Sequence, residues 1–236
     1  GEIALGIDPL ASAHEHELTS ALSARGFPVP EPLGFAQTGP CAPYTLTALI
    51  PGVPATGRQQ ANLPELLADV LARLHGARLP RFAWLRDARE VMHERVLWPE
   101  RTHDPSVDHD ALLEQYHERW EEMTPPAHEV VLHGDPWPGN LLVDGEDASE
   151  VAALIDWEDA CFGDPVMDVA IASLELHLLF GAAFSQRFVS AYEYARDLGG
   201  AIVDLDALST WCLAAACRPM GSFDDWALGF IEMGRP

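Results

Sequence analysis

Within the stretch VLHGDPWPGNLLVDGEDASEVAALIDWE, residues 131–158, three side chains have the types and spacing for one kind of chemistry. His133-Gly134-Asp135 is followed five residues after its aspartate by Asn140, and Asp156 closes an apolar Leu-Ile run. A carboxylate, an amide and a second carboxylate form the set that ATP-dependent phosphoryl transfer requires. One carboxylate, Asp135, would face an acceptor hydroxyl, while the Asn140 amide oxygen and Asp156 would hold Mg²⁺ against the nucleotide phosphates. Magnesium is a hard ion that takes oxygen ligands, so Asn and Asp suit it where His and Cys would not. His133 reads as a residue that orients the loop, with a satisfied core histidine as the plainer alternative.

Elements on either side must bring these residues together. Glu129–His133 is apolar and β-branched, and predicts a buried strand that delivers the loop Gly134–Gly139. Prolines 136 and 138 and glycines 134 and 139 give that loop a tight, irregular path. Leu141–Val143 and Val151–Ile155 predict two further short strands around a polar turn at 144–150. A hairpin of this kind returns Asp156 beside Asn140, although a plain hairpin with polar turns has the same pattern.

The block resembles the aminoglycoside phosphotransferase and choline kinase family, the small-molecule branch of the protein-kinase-like fold. His133-Gly134-Asp135, Asn140, Ile155-Asp156-Trp157-Glu158 and Gly163-Asp164-Pro165 with Asp168 carry the resemblance. Flanking pieces agree with it: Gly26–Pro30 after a helix, the apolar strand Tyr44–Gly52 and Leu71–His75. It implies an α/β (α+β) two-lobed fold, with a truncated small N-terminal lobe over residues 1–52 and a mainly helical C-terminal lobe over 53–236. It also implies Asp135 as catalytic base, Asn140 and Asp156 as magnesium ligands, ATP as phosphoryl donor and a small hydroxylated molecule as acceptor. In this fold the adenine ring would meet backbone groups near Ala48–Ile50, with the crossover between lobes at Pro51–Pro54.

The nucleotide-gripping half departs from the family pattern. All 14 basic residues are arginine, and the chain contains no lysine. A kinase of this fold places a lysine on its third strand, paired with a glutamate on the next helix. Glu2–Asp8 reads as that strand, which puts Gly6 at the lysine position, and the helix near Ala13–Arg25 offers Glu15 as the acidic partner. Leu18, Ala21 and Leu22 would equally make it an ordinary amphipathic helix. Only a handful of residues precede Gly6, and no GxGxxG occurs. Three explanations stand open: a kinase of which this sequence is part, a kinase with chemically modified lysines and disordered loops, and a degenerate kinase. The intact catalytic loop favours the first.

Only Trp157–Gly163, seven residues, separate Asp156 from Asp164-Pro165, too few for a protein kinase's activation segment. Where such a kinase carries an arginine to receive an activating phosphate, this chain has Gly134. A protein substrate is therefore not expected. Asp164 and Asp168 read as residues that cap and brace the following helix.

Helices are predicted from Asn62, with Leu63, Leu66, Leu67, Val70, Leu71 and Leu74 at helical spacing and Glu65 completing a capping box. His75 at the end of that helix reads as structural. Further helices are expected over 86–98, 108–122, 165–180, 184–198, 204–217 and 222–232. The last carries Phe223, Asp224, Asp225, Trp226 and Glu232, either a wall for an ammonium group or a solvated face. Trp98, Trp120, His103, His109 and His117 lie between or on the middle helices, and no histidine has the spacing of a zinc ligand. The His14-Glu15-His16 triplet is no better, because neighbours on a helix point to different sides.

Composition sets the outer bounds. A length of 236 residues suffices for a substantial core. A net charge of −23 argues against nucleic acid, and would either concentrate a cationic acceptor or serve solubility. No apolar run reaches membrane-spanning length, Val169–Phe184 being interrupted by Glu175 and His177. No secretory signal opens the chain, so a cytoplasmic location is expected. The four cysteines form no CxxC pair and suggest buried or idle thiols, and nothing sets the oligomeric state. Two other classes compete: a pseudokinase that binds nucleotide or metabolite without turnover, and a metallophosphoesterase. The second lacks its Asp-x-His start and the histidine after Gly-Asn, since Leu141 follows Asn140.

Overall fold

A computed structural model describes residues 11–39, 43–56, 61–97, 108–144, 150–199 and 204–218. Helix α1 (Ala11–Ser23) packs on a two-stranded antiparallel sheet of β1 (Pro32–Ala36) and β2 (Tyr44–Thr47). Strand β3 (Val53–Pro54) begins a second sheet with β5 (Leu141–Val143) and β6 (Val151–Leu154), antiparallel in the order β3-β5-β6. A third pair joins β4 (Val130–Leu132) to β7 (Cys161–Gly163). The remaining described elements are a 3-10 turn (Pro138–Asn140) and helices α2 (Leu63–Gly76), α3 (Ala88–Val96), α4 (His109–Glu122), α5 (Val166–Phe180), α6 (Ala182–Leu198) and α7 (Leu208–Cys217).

The apolar stripe of α2 is the backbone of one core cluster. Leu63, Leu67, Leu71 and Leu74 are fully buried there, together with Leu18 and Leu22 of α1 and with Val131, Leu141, Leu154 and Trp157 from around the loop. A second cluster gathers Met92 of α3, Tyr116 of α4, Ile171 of α5 and Trp211 of α7. Helix α5 contributes Val169, Ala172 and Leu176 to the first cluster and Val166, Met167, Ala170 and Ile171 to the second. That double duty explains its nearly unbroken apolar sequence, because a helix covered on all sides has no face to leave polar.

Several boundaries differ from the sequence expectation for local reasons. The strand expected from Tyr44 to Gly52 ends at Thr47, and Ala48 then donates its N–H to Glu31 O at 2.8 Å. Strand β1 is not among the expected elements, since Pro32 and Gly34 make its sequence a poor strand former. Asn62 occupies the cap position of α2 but its side chain makes no capping bond. Its φ of −102° and ψ of 5° are not the extended backbone that aims a cap side chain at the first turn. Glu65 instead pairs with Arg187 of α6, 2.7 Å away. Asp87 and Asp108 do cap α3 and α4 through their carboxylates. The expected strand 2–8 with Gly6, the helix 222–232 and its acidic and aromatic residues, Trp98 and His103 lie outside the described residues. Among the described residues no helix is long and apolar enough to cross a membrane.

Candidate active site

The loop after β4 is tied to the core by one buried carboxylate. Asp168, in the first turn of α5, accepts from the backbone N–H of His133 at 2.8 Å and of Gly134 at 2.9 Å. Nε2 of His75, from α2, donates to the same side chain at 3.0 Å, and His75 Nδ1 meets the Tyr192 hydroxyl of α6 at 2.7 Å. Burial alone would favour the neutral acid, but the bond and charge of His75, the His133 ring and the Gly134 N–H together hold Asp168 below the usual carboxylate range. Asp168 thus braces the loop as well as the helix. Asp164 accepts from Val166 N at 3.0 Å and from Trp211 Nε1 at 2.9 Å, and burial pushes its carboxyl upward.

His133 is fully buried beside Trp157, with ring centroids 4.6 Å apart. Its Nε2 lies 2.9 Å from Ile155 O and must carry the proton, while its Nδ1 accepts from Asp135 N at 3.3 Å. These bonds make His133 a strut between the loop and the end of β6. Gly134 has φ +86°, and a side chain there would run into the carbonyl of Asp159. Only glycine suits both conditions.

Hairpin β5–β6 places the other two expected residues. Leu141 pairs with Leu154, and Ile155 N donates to Asn140 O at 2.9 Å, so Asp156 leaves the strand immediately beside Asn140. Asn140 is buried, and its Nδ2 donates to Asp135 O at 3.0 Å. With the amide nitrogen so used, its oxygen is the group left to meet a cation. Asp156 is exposed and takes φ +67°, a left-handed conformation that non-glycine residues adopt at a cost and that concentrates at functional sites. Desolvation raises its carboxyl pKa, the His133 ring opposes this, and the charges of Asp135 and Asp159 add to the rise. Glu158 is raised first by Asp156, then by burial, Asp159 and Glu15. Such crowding of carboxylates is what a divalent cation would relieve. Among the described residues no three His, Cys, Asp or Glu side chains form a cage. Two protein oxygens, with the rest from phosphates and water, is how magnesium is usually held at such sites.

Glu15 of α1 accepts from Thr45 Oγ1 of β2 at 2.7 Å, and its charge adds to the rise at Glu158. Ala48 and Ile50 follow β2 in the connection to β3. The Ala48 N–H is committed to Glu31 O and the Ile50 carbonyl accepts from Gly52 N at 2.9 Å, which narrows the backbone groups a base could use. Three groups escape a reading of the sequence. Arg95 of α3 forms an ion pair with Asp159, Arg218 lies 3.2 Å from Asp135, and Glu175 of α5 lies 3.6 Å from Arg218. Glu175 has a signal, a carboxylate in the middle of an apolar helix. The arginines have none.

A search among curated proteins finds none that matches the chain. The fold is similar to that of an aminoglycoside-3'-phosphotransferase of type VIII, with a TM-score of 0.65 and 23% identity over 89% of this chain and 81% of that one. An aminoglycoside phosphotransferase from Streptomyces rimosus, solved with ADP and streptomycin, gives a TM-score of 0.64 and 20% identity, covering 89% of this chain and 84% of its own. A choline kinase from Streptococcus pneumoniae gives a TM-score of 0.66 and 16% identity, covering 99% and 78%. These likenesses establish a mixed α/β fold of the kinase-like kind. The sequence model of the phosphotransferase enzyme family matches residues 7–205, and the chain belongs to that family.

Proposed function

We propose that this phosphotransferase moves the γ-phosphoryl group of ATP to a hydroxyl of a small molecule. One observation supports the reading: the hairpin bonds Ile155 N to Asn140 O, which brings Asp156 next to Asn140 in the chain path, and Asn140 in turn bonds the backbone of Asp135. In the reaction the acceptor oxygen attacks the γ-phosphorus, the bond from that phosphorus to the ADP oxygen breaks, and the hydroxyl proton passes to Asp135. Asn140 and Asp156 would hold magnesium, which supplies charge neutralisation at the phosphates. His133, Gly134 and Asp168 hold the loop that carries Asp135. Glu15, Ala48 and Ile50 are proposed to line the nucleotide side.

The relative from Streptomyces rimosus, bound to ADP and streptomycin, supports nucleotide use and a small acceptor. Aminoglycosides, amino alcohols such as choline, and amino sugars are the acceptor chemistries to test first, and the acidic surface favours cationic ones. Absence of lysine from these 236 residues favours a second reading, a nucleotide-binding protein without turnover. An ATP-consumption screen against hydroxylated amines, sugars and antibiotics separates the two. Asp135→Ala should lower turnover by roughly 10²- to 10⁴-fold, the usual contribution of a general base, and leave nucleotide affinity within a few-fold. Equal turnover in Asp135→Ala and parent would refute the base, and tight ATP binding without turnover on any acceptor would favour the second reading.

A further inference from the structure

Asp135 does not stand alone. The guanidinium of Arg218, at the C-terminal end of α7, donates from Nη1 to Asp135 Oδ1 at 3.2 Å. Its Nη2 lies 3.6 Å from Oε1 of Glu175, in the third turn of α5. The Arg218 and Glu175 side chains are only 7% and 6% exposed, whereas the Asp135 side chain is 30% exposed. Three elements remote in sequence therefore converge on one charge cluster, of which Asp135 is the most exposed member.

A buried ion pair is a poor source of stability, because desolvating the charges offsets most of their attraction. Glu175 carries that cost plainly, since burial pushes its carboxyl up to about 7 while Arg218 pulls it back. A cluster of this kind is better explained by what it does to Asp135. Arginine suits such a role, because its fork can engage two carboxylates at once and its charge is permanent. We propose that Arg218 is a positioning residue for phosphoryl transfer, anchored by Glu175 and holding Asp135 through Oδ1 in the rotamer that presents Oδ2 to the acceptor hydroxyl. This rests on the reading of Asp135 as the base.

The test uses the full chain with Arg218→Met, Arg218→Lys and Glu175→Gln. ADP release from Mg-ATP is followed with water alone and with choline, glucosamine or streptomycin added singly. Arg218→Met should lower kcat by 10- to 100-fold with the KM for ATP within twofold of the parent. Arg218→Lys should recover part of the loss, and Glu175→Gln should lose several-fold by loosening the anchor. Independently of turnover, three-bond couplings in isotopically labelled protein report the χ1 rotamer of Asp135. A single rotamer is expected in the parent and averaging in Arg218→Met. A kcat within twofold of the parent, or a rotamer that stays single, overturns the proposal. If the parent turns over nothing yet the Asp135 rotamer averages in the variant, the positioning stands and the phosphotransfer reading fails. Should Arg218→Met not fold, Arg218→Lys and Glu175→Gln decide the matter by the same readouts.

Discussion

Gly134 and Asp168 show how far the loop depends on single groups. The left-handed φ of Gly134 and the Asp159 carbonyl against its Cα leave no place for a methyl group. Gly134→Ala should cost roughly 1–3 kcal/mol in strain and displace Asp135, to be seen as a lower melting temperature together with lost ATP turnover. Asp168→Asn leaves two backbone N–H groups and His75 sharing one neutral acceptor, and should cost on the order of 3–5 kcal/mol at neutral pH. Because the folded Asp168 carboxyl lies below its ordinary value of 3.8, its contribution is present above that value and is lost as the pH falls through the folded one. Urea titrations of parent and variant should therefore converge in acid and stand fully apart above about pH 4. The types and spacing of Asp135, Asn140 and Asp156 are legible because the reaction fixes them within one short stretch of chain. Arg218 stands 83 residues beyond Asp135, and no local pattern links two residues whose meeting depends on how α5 and α7 pack.

At the scale of elements, helix α5 joins the two core clusters and carries Asp168 at one end and Glu175 further along. Glu175 titrates near 7 when folded against an ordinary 4.5, so the folded chain holds that proton more tightly than the unfolded chain does. Its contribution to stability is complete below about 4.5 and declines as the pH rises towards 7. Glu175→Gln removes that decline. Its stability relative to the parent should rise between pH 5 and pH 8 by up to about 3 kcal/mol, readable from urea unfolding at those two values. A flat difference would show that Glu175 ionises without cost. Long periodic helices such as α2 can be read from sequence, as can hairpin β5–β6 with its apolar strands and polar turn. Strands β1 and β7 cannot. Each is five residues or fewer, contains glycine, and exists because a partner strand offers hydrogen bonds.

The whole molecule carries a net charge of −23, and its compact state brings those charges closer than the unfolded chain does. Raising NaCl from about 10 to 150 mM shortens the screening length from about 30 to 8 Å, so the melting temperature should rise with salt. A melting temperature that falls or stays level would mean that favourable ion pairs, such as Arg187 with Glu65, outweigh the repulsion. The loop that carries Asp135 is itself held by the whole fold, since Asp168 on α5, His75 on α2 and Tyr192 on α6 form one chain of bonds reaching it. Amide hydrogens of His133 and Gly134 end on that chain, away from water. They should exchange with deuterium only when the helices themselves part, and so serve as internal clocks for global opening, while exposed surface turns exchange far sooner.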